Sequence, residues 1–412
     1  MKVFKWLLLL LLQIFTLVLV LNIKELSVNL IGGLTFLAVF SIAVFIFQLS
    51  RITLADFYFP EKSRKGRSFS VIIPVHNELY CIAHTVKKAM ELKTDEYLSQ
   101  VIVVDDGSTD GTRERLKALE AEYPERLTVI YFDENKGKRA AMRAALSRAE
   151  GSIIIQMDSD SYIESGIDEL LGYFDDKSVG AVCAHTEPTE TNTILQKIQN
   201  AYYHVSFRLT KAAESVTNTV LCCSGCCSAY RKSALVDIID EWNEDSFLGK
   251  KVSWGDDRAL TNYVLKQGFK TLYSEKTIAK TVVPNSWKQF FKQQLRWKKG
   301  WMVNSFLIAK FMLLKKPIIF FTYFLPLFII TVTAPYFIWK VVVWNSLHGH
   351  SPMVYIAGIL GMAVLSVIFL WQKSDKEGLT YIFLWSFLNI VLSSILVPLA
   401  VLTLRDRKWG TR

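Results

Sequence analysis

The chain has 412 residues, enough for one catalytic domain of ordinary size plus several membrane spans. Apolar residues make up 51 % of it, near the soluble average, so composition alone does not define a membrane protein. The net charge of +10 lies beside apolar runs (Lys2 and Lys5; Lys62, Arg64, Lys65 and Arg67; Lys310, Lys315 and Lys316; Arg405, Arg407 and Lys408). That placement follows the positive-inside rule and points to anionic lipid surfaces, and with no nucleic-acid motif present no nucleic-acid partner is expected.

In chain order, charge is nearly absent from Trp6–Asn22 and Val28–Leu49, each long enough to cross a hydrocarbon core of about 30 Å. Residues 1–50 are therefore read as two N-terminal transmembrane helices. No small-residue cleavage pattern follows the first run, which favours a retained anchor. With the N-terminus inside, the second span returns the chain to the cytoplasm at Arg51, and residues 51–68 form a cytosolic linker, polar over 60–68.

A soluble domain is expected over 69–285. Short β-branched runs at 70–73, 101–104, 127–132 and 152–157 alternate with helix-like stretches at 79–93, 109–123 and 136–149. This repetition predicts an α/β domain, a parallel sheet covered on both faces. Ligands of such sheets bind beyond the carboxyl ends of the strands. Those ends carry Asn77-Glu78, Asp105-Asp106 and Asp158-Ser159-Asp160.

Asp158 and Asp160, on alternate residues after a buried strand, are spaced to hold a hard divalent cation, Mg²⁺ or Mn²⁺, through oxygen. Such an ion would also bind a nucleotide diphosphate. Asp105 and Asp106 precede turn and cap residues, and capping by Thr109 or Asp110 explains only part of that cluster. The Lys136, Lys138 and Arg139 cations open a helix against its macrodipole, which is costly unless an anion lies nearby, so phosphate is expected there. Asp256 and Asp257 begin a helical stretch over 256–268, where one carboxylate would suit a general base.

Residues 286–316 carry apolar side chains at helical spacing interrupted by lysines, as in helices lying at a membrane interface. Within them Gln293, Arg296 and Trp297 supply a polar contact, a fork for diphosphate and a platform for a sugar ring. Residues 317–404 hold apolar runs at Ile318–Trp339 and Met353–Trp371 and a last stretch, 379–404. A third crossing would place Arg405–Arg412 outside, so an interfacial or re-entrant segment bent near Ser393, Ser394 and Pro398 is expected. The cysteines Cys81, Cys183, Cys222, Cys223, Cys226 and Cys227 are expected as reduced cytosolic thiols.

Taken in order, Val71-Ile72-Ile73-Pro74-Val75-His76-Asn77-Glu78, Asp105-Asp106-Gly107-Ser108, Asn135-Lys136-Gly137-Lys138-Arg139, Asp158-Ser159-Asp160, Cys223-Ser224-Gly225, Gly255-Asp256-Asp257-Arg258, Gln293-Gln294-Leu295-Arg296-Trp297 and Trp409-Gly410-Thr411-Arg412 resemble the motifs of membrane-integrated family 2 glycosyltransferases, most of all hyaluronan synthases. The resemblance covers residue 69 to the C-terminus. It implies a GT-A-type, Rossmann-like catalytic domain on the cytoplasmic side of a multi-pass plasma-membrane protein. The implied activity is processive, inverting transfer from UDP-GlcA and UDP-GlcNAc to a growing polysaccharide that is translocated outward.

Residue by residue, it implies that Glu78, Asp105 and Asp106 bind uridine, and that Lys138, Arg139, Asp158 and Arg296 line the nucleotide-sugar site. It implies Asp158 and Asp160 at the metal and Asp257 as the base. Cys223, Ser224, Gly225, Asp256, Gln293 and Trp297 would face the acceptor, and 405–412, with Trp409 and Arg412, would form a gating tail over the nucleotide. Two departures stand out. Cys226 and Cys227 replace a proline and an aliphatic residue, and Gly300 replaces a serine, which puts the sugar identity in doubt and leaves chitin-like, cellulose-like and glucose–glucuronate polymers open, with transfer of one sugar to a lipid carrier as a further enzymatic alternative.

Overall fold

The computed structural model of the protein describes residues 35–404 except 61–66, 95, 248, 253, 345–346, 348–352, 372 and 374–375. The expected first span, Trp409 and Arg412 lie outside the described residues.

The chain enters through a helix, α1 (Thr35–Asp56), and then builds the strands β1 (Phe69–Val75), β2 (Gln100–Asp105), β3 (Leu127–Tyr131), β4 (Ile153–Gln156), β5 (Ser161–Ser165), β6 (Val179–Pro188) and β7 (Ser228–Arg231). A small ribbon, β8 (Ser246–Phe247) with β9 (Lys250–Lys251), precedes the last strand, β10 (Lys270–Thr281). The main sheet has eight strands in the order β3-β2-β1-β4-β7-β6-β10-β5.

The first four strands are parallel, as the alternation of strand and helix predicts. The sheet as a whole is mixed, which corrects the expectation of a parallel sheet: β7 runs antiparallel to both β4 and β6, and β5 antiparallel to β10. Pro74 sits in central β1, yet β4 pairs only with Phe69–Ile72, so the missing N–H falls beyond that ladder.

Period-two alternation divides the apolar side chains between two layers. Val71, Ile73, Val101, Val103, Ile153 and Ile155 pack on helices α2 (Ile82–Glu91) and α3 (Thr112–Glu122) through Ile82, Val86, Leu116 and Leu119. Ile72, Ile102, Val104 and Ile154 pack instead on α4 (Lys138–Leu146) through Ala141, Met142 and Ala145. Each such fully buried aliphatic contributes about 1.5–3 kcal/mol before chain entropy is counted.

On that second face lie α5 (Ile194–His204), opened by a Thr193–Gln196 capping box, α6 (Asp256–Lys266) and the 29-residue α7 (Trp287–Lys315), capped by Ser286. Three apolar helices complete the described chain: α8 (Pro317–Ile338), α9 (Met353–Leu370) and α10 (Tyr381–Leu402). Of these, α8 and α10 are long and apolar enough to cross a membrane. At 1.5 Å per residue, each extends about 33 Å.

The unbroken α10 corrects the expected bend in 379–404. Within it Ser394 donates to the Ile390 carbonyl of its own helix (2.8 Å) and to the Ala334 carbonyl of α8 (3.1 Å), and Pro398 falls within its last turns.

The start of α6 touches α7. A Cβ built on Gly300 would lie 2.8 Å from Gly255 Cα, and Asn304 Nδ2 donates to the carbonyls of Gly300 (2.9 Å) and Gly255 (3.3 Å). Gly300 is thus a packing requirement of this chain. Gly300→Ala should lower stability by about 1–3 kcal/mol through overpacking against backbone. Thermal unfolding in detergent checks this, and an unchanged melting temperature would show that α7 yields freely.

Candidate active site

Three chain segments end at the same edge of the sheet. Strand β4 stops at Gln156 and runs into Asp158 and Asp160, α4 begins at Lys138 and Arg139, and α6 begins at Asp256 and Asp257. Lys138 Nζ donates to Asp158 Oδ1 at 2.7 Å and to Asp257 Oδ1 at 3.3 Å, and Gln156 Nε2 donates to the same Oδ1 of Asp257 at 3.0 Å. Both carboxylates stay partly accessible.

Burial alone would raise the Asp257 carboxyl. The charge of Lys138, the Gly225 N–H and Gln156 outweigh it and hold Asp257 below the usual carboxylate range. For Lys138, burial would lower the ammonium, but the charges of Asp158 and Asp257 outweigh that and hold it well above its usual value. The edge therefore presents two carboxylates bridged by a cation, with Asp257 held ionised.

Gly225 lies against this pair. A Cβ there would fall 2.7 Å from both Asp257 Oδ1 and Lys138 Nζ. The turn Cys223–Gly225 is held on its other side by Cys223 N donating to Thr261 Oγ1 (2.9 Å), which in turn donates to the Asp257 carbonyl (2.7 Å). Ser224 Oγ sits 3.5 Å from Cys183 Sγ, and buried Lys211 donates to Cys183 Sγ (3.4 Å) and to the Cys222 carbonyl. All six cysteines are free, and burial pushes the Cys222, Cys226 and Cys227 thiols up, so they stay protonated at neutral pH.

Several expected residues are placed differently. Arg139, expected beside phosphate, is buried: its Nε donates to Asp256 Oδ1 at 2.6 Å, Nη1 donates to the Trp242 carbonyl, and the guanidinium lies 5.0 Å from the Trp242 ring centroid. Asp256, expected at the acceptor, is its partner. The anion that offsets these helix-opening cations is carried by the protein itself.

Asp105 is fully buried and accepts from Arg113 Nε (2.6 Å) and the Ser108 N–H (3.0 Å). Asp106 accepts from the N–H groups of Lys136 (2.6 Å) and Gly137 (2.9 Å). Both acids thereby tie together the loops that wall the strand ends. Asn77, in the left-handed region at φ 55°, adds a tie by accepting from the Thr109 N–H at 2.8 Å, while the Glu78 N–H donates to Thr112 Oγ1 at 2.9 Å. Asp160 accepts from Ser161 Oγ at 3.1 Å.

On α7, Gln293 keeps a buried Oε1 with no partner among the described residues, and Arg296 and Trp297 are partly exposed. The Trp297 ring centroid lies 6.0 Å from that of Tyr202, which lies 4.5 Å from Trp385 of α10. Sequence reasoning missed Gln156, Tyr202 and Trp385. Gln156 could have been found as the one amide ending the apolar run Ile153–Ile155.

A curled mixed sheet with acids at its parallel strand ends defines the class: a GT-A-type glycosyltransferase fold. Residues 70–239 match the model of the family described as Glycosyl transferase family 2. The chain carries a family 2 glycosyltransferase domain and is a glycosyltransferase, as the ordered motifs imply.

Over 396 residues it is 28 % identical to a hyaluronan synthase of Streptococcus pyogenes, with 92 % of each chain covered. Over 356 residues it is 28 % identical to an N-acetylglucosaminyltransferase of Azorhizobium caulinodans, covering 83 % of this chain and 86 % of the relative. Among solved structures, a mannosyltransferase from Pyrobaculum calidifontis in complex with GDP-Man and Mn²⁺ superposes with a TM-score of 0.51 at 18 % identity, covering 82 % of this chain and 99 % of that one. This last likeness is one of fold.

The two adjacent acids of α6 should separate by phenotype. Asp256→Asn leaves buried Arg139 with only the longer contact to Asp245 (3.8 Å) and should cost up to roughly 3–5 kcal/mol in unfolding free energy. Asp257→Asn should fold with near-normal stability and lose sugar transfer. Thermal melts and product assays on both variants check the contrast, and equal stability of the two would refute it.

Proposed function

We propose that the protein is a membrane-embedded, processive, inverting polysaccharide synthase that draws on UDP-sugars at the cytoplasmic face of the plasma membrane. The leading product is a hyaluronan-like chain built from UDP-GlcA and UDP-GlcNAc. The observation that carries the reading is the convergence of Asp158, Lys138 and Asp257 at one sheet edge, with Trp297, Tyr202 and Trp385 leading from the catalytic domain to an apolar helix.

In this reading Asp257, ionised and held by the Gly225 N–H and by two side-chain donors on Oδ1, removes the proton of the acceptor hydroxyl through Oδ2 as that hydroxyl attacks the anomeric carbon. Asp158 and Asp160 offer only oxygen donors, are partly accessible, and already take a cation at Asp158, which fits Mg²⁺ or Mn²⁺. Bound there, such an ion supplies neutralisation of the charge that grows on the departing diphosphate. Lys138 and Arg296 add cationic contacts to that diphosphate, and Glu78, Asp105 and Asp106 shape the uridine side. Cys223, Ser224 and Gly225 line the acceptor pocket, Gln293 offers its buried carbonyl to a sugar hydroxyl, and Trp297 stacks on the ring. Trp409 and Arg412 are assigned to a tail that covers the nucleotide.

Membrane lipids are the remaining partner. Helices α8 and α10 suit crossing, while exposed Trp287, Phe291 and Phe306 on α7 alternate with Lys288 and Lys292, as on a helix that lies in the headgroup region. The equal identity to an N-acetylglucosaminyltransferase supports a second reading, a chitin-like polymer made from UDP-GlcNAc alone.

Purified protein in detergent, given each UDP-sugar singly and in pairs with Mg²⁺ or Mn²⁺, should form a long, hyaluronidase-sensitive polymer only with UDP-GlcA and UDP-GlcNAc together. Chelation should abolish synthesis, and added divalent ion should restore it. Polymer from UDP-GlcNAc alone would favour the second reading, and a single sugar on a lipid would overturn processive synthesis.

A further inference from the structure

Gln156 closes β4 on the sheet face that Ile154 shares, where α4 and α6 supply the cover. It is 2 % exposed, and its neighbours along the strand are all isoleucine. Folding alone gives no reason for an amide at this position. Its Nε2 donates to Asp257 Oδ1, and the opposite orientation would press its carbonyl against a carboxylate. The amide is therefore committed, and its Oε1 is left buried with no hydrogen-bond partner among the described residues. An orphan of this kind is a standing cost to stability.

Besides the Gly225 N–H, which also holds Asp257, two side chains donate to its Oδ1, and they differ in kind. Lys138 is shared, and lies nearer to Asp158 (2.7 Å) than to Asp257 (3.3 Å), so a diphosphate arriving beside Asp158 draws on the same ammonium. Gln156 is neutral and anchored in a strand. It holds Oδ1 whatever the ammonium does, and it leaves the charge of the carboxylate in place.

We propose that Gln156 is a positioning residue for the base: it fixes Asp257 by Oδ1 so that Oδ2 is the atom that meets the acceptor hydroxyl, and the fold carries an orphaned carbonyl oxygen to keep it there. The proposal rests on the reading of Asp257 as the base. A residue kept for positioning at a cost to folding has a signature that a merely structural residue lacks, because stability and activity then move in opposite directions when it is replaced by an apolar isostere.

The test compares Gln156→Met, Gln156→Glu and Asp257→Asn as full-length proteins in detergent. For Gln156→Met the melting temperature should equal or exceed that of the parent, while kcat falls by at least about tenfold and KM for the nucleotide sugar stays within about twofold. Gln156→Glu keeps the shape, removes the donor and sets two carboxylates together, so its kcat should fall at least as far; it decides the matter if Gln156→Met fails to fold. A kcat within twofold of the parent in the folded Gln156 variants, beside an inactive Asp257→Asn, would overturn this proposal alone. In a Gln156→Met that folds, a fall in melting temperature parallel to activity would also overturn it, by making the role structural. Full activity in Asp257→Asn would remove the base assignment and this proposal with it.

Discussion

Two helix starts meet at the sheet edge, one opening with Lys138-Arg139 and the other with Asp256-Asp257. A helix N-terminus repels cations, so the first pair is unfavourable on its own helix and the second favourable. Their juxtaposition resolves the conflict. Consecutive residues of a helix point about 100° apart, and each dipeptide accordingly splits into an inward and an outward member. Arg139 and Asp256 turn inward and close a buried ion pair, while Lys138 and Asp257 turn toward the strand ends. Gathering Asp158 and Asp257 at one place would be prohibitively repulsive without the ammonium between them. The buried Arg139–Asp256 pair sets the distance between the helices, and that distance lets Lys138 reach Asp257.

The same contact ties catalysis to the apolar helices. The first turn of α6 rests on α7 through Gly255 and Gly300, and Asn262 Nδ2 donates to the Asn304 carbonyl at 3.1 Å. Helix α7 in turn meets α10, where Lys298 Nζ donates to Ser393 Oγ at 3.0 Å, and Tyr202 of α5 fits between Trp297 and Trp385. Between Asp257 and α10 run backbone contacts, tilted aromatic rings and the Lys298–Ser393 hydrogen bond. Such contacts have little slack, because close-packed interiors transmit displacement. Asp257 and the Trp297 ring therefore share one frame.

Much of this was legible in the sequence where one physical rule dominated. The buried runs at 70–73, 101–104 and 152–157 are strands because nothing else buries β-branched residues on both faces so compactly. Their ends carry the acids, so the location of the site followed. The antiparallel half was not legible: β7 is four residues long, and β6 and β10 mix polar with apolar positions because their faces cover unlike neighbours. The roles of Arg139 and Asp256 were hidden for another reason. Their motif reads as phosphate-facing in one dimension, and only the third shows that the anion is Asp256, 117 positions away. Charge balance was foreseeable, but the partner was not. The bend assigned to α10 failed because it was inferred from span parity, a rule about topology rather than local chemistry. Ser394, taken as a breaker, instead satisfies helix carbonyls.

The two departures from the hyaluronan-synthase pattern separate on physical grounds. Gly300 is set by contact with Gly255, where any side chain meets backbone, so it reports how α6 docks on α7 and carries no information about the sugar. Cys226 is different. It is partly exposed, follows directly on Gly225, and stands in the field of Asp158 and Asp257. A proline there would fix φ and withhold an N–H, whereas a cysteine offers a backbone donor and a small polarisable group near Asp158 and Asp257. With its thiol protonated, it contributes shape and contact rather than nucleophilicity. Differences in product among related enzymes are therefore more sensibly sought in the turn 223–227, which touches Asp257, than in the α6–α7 contact, which only carries it.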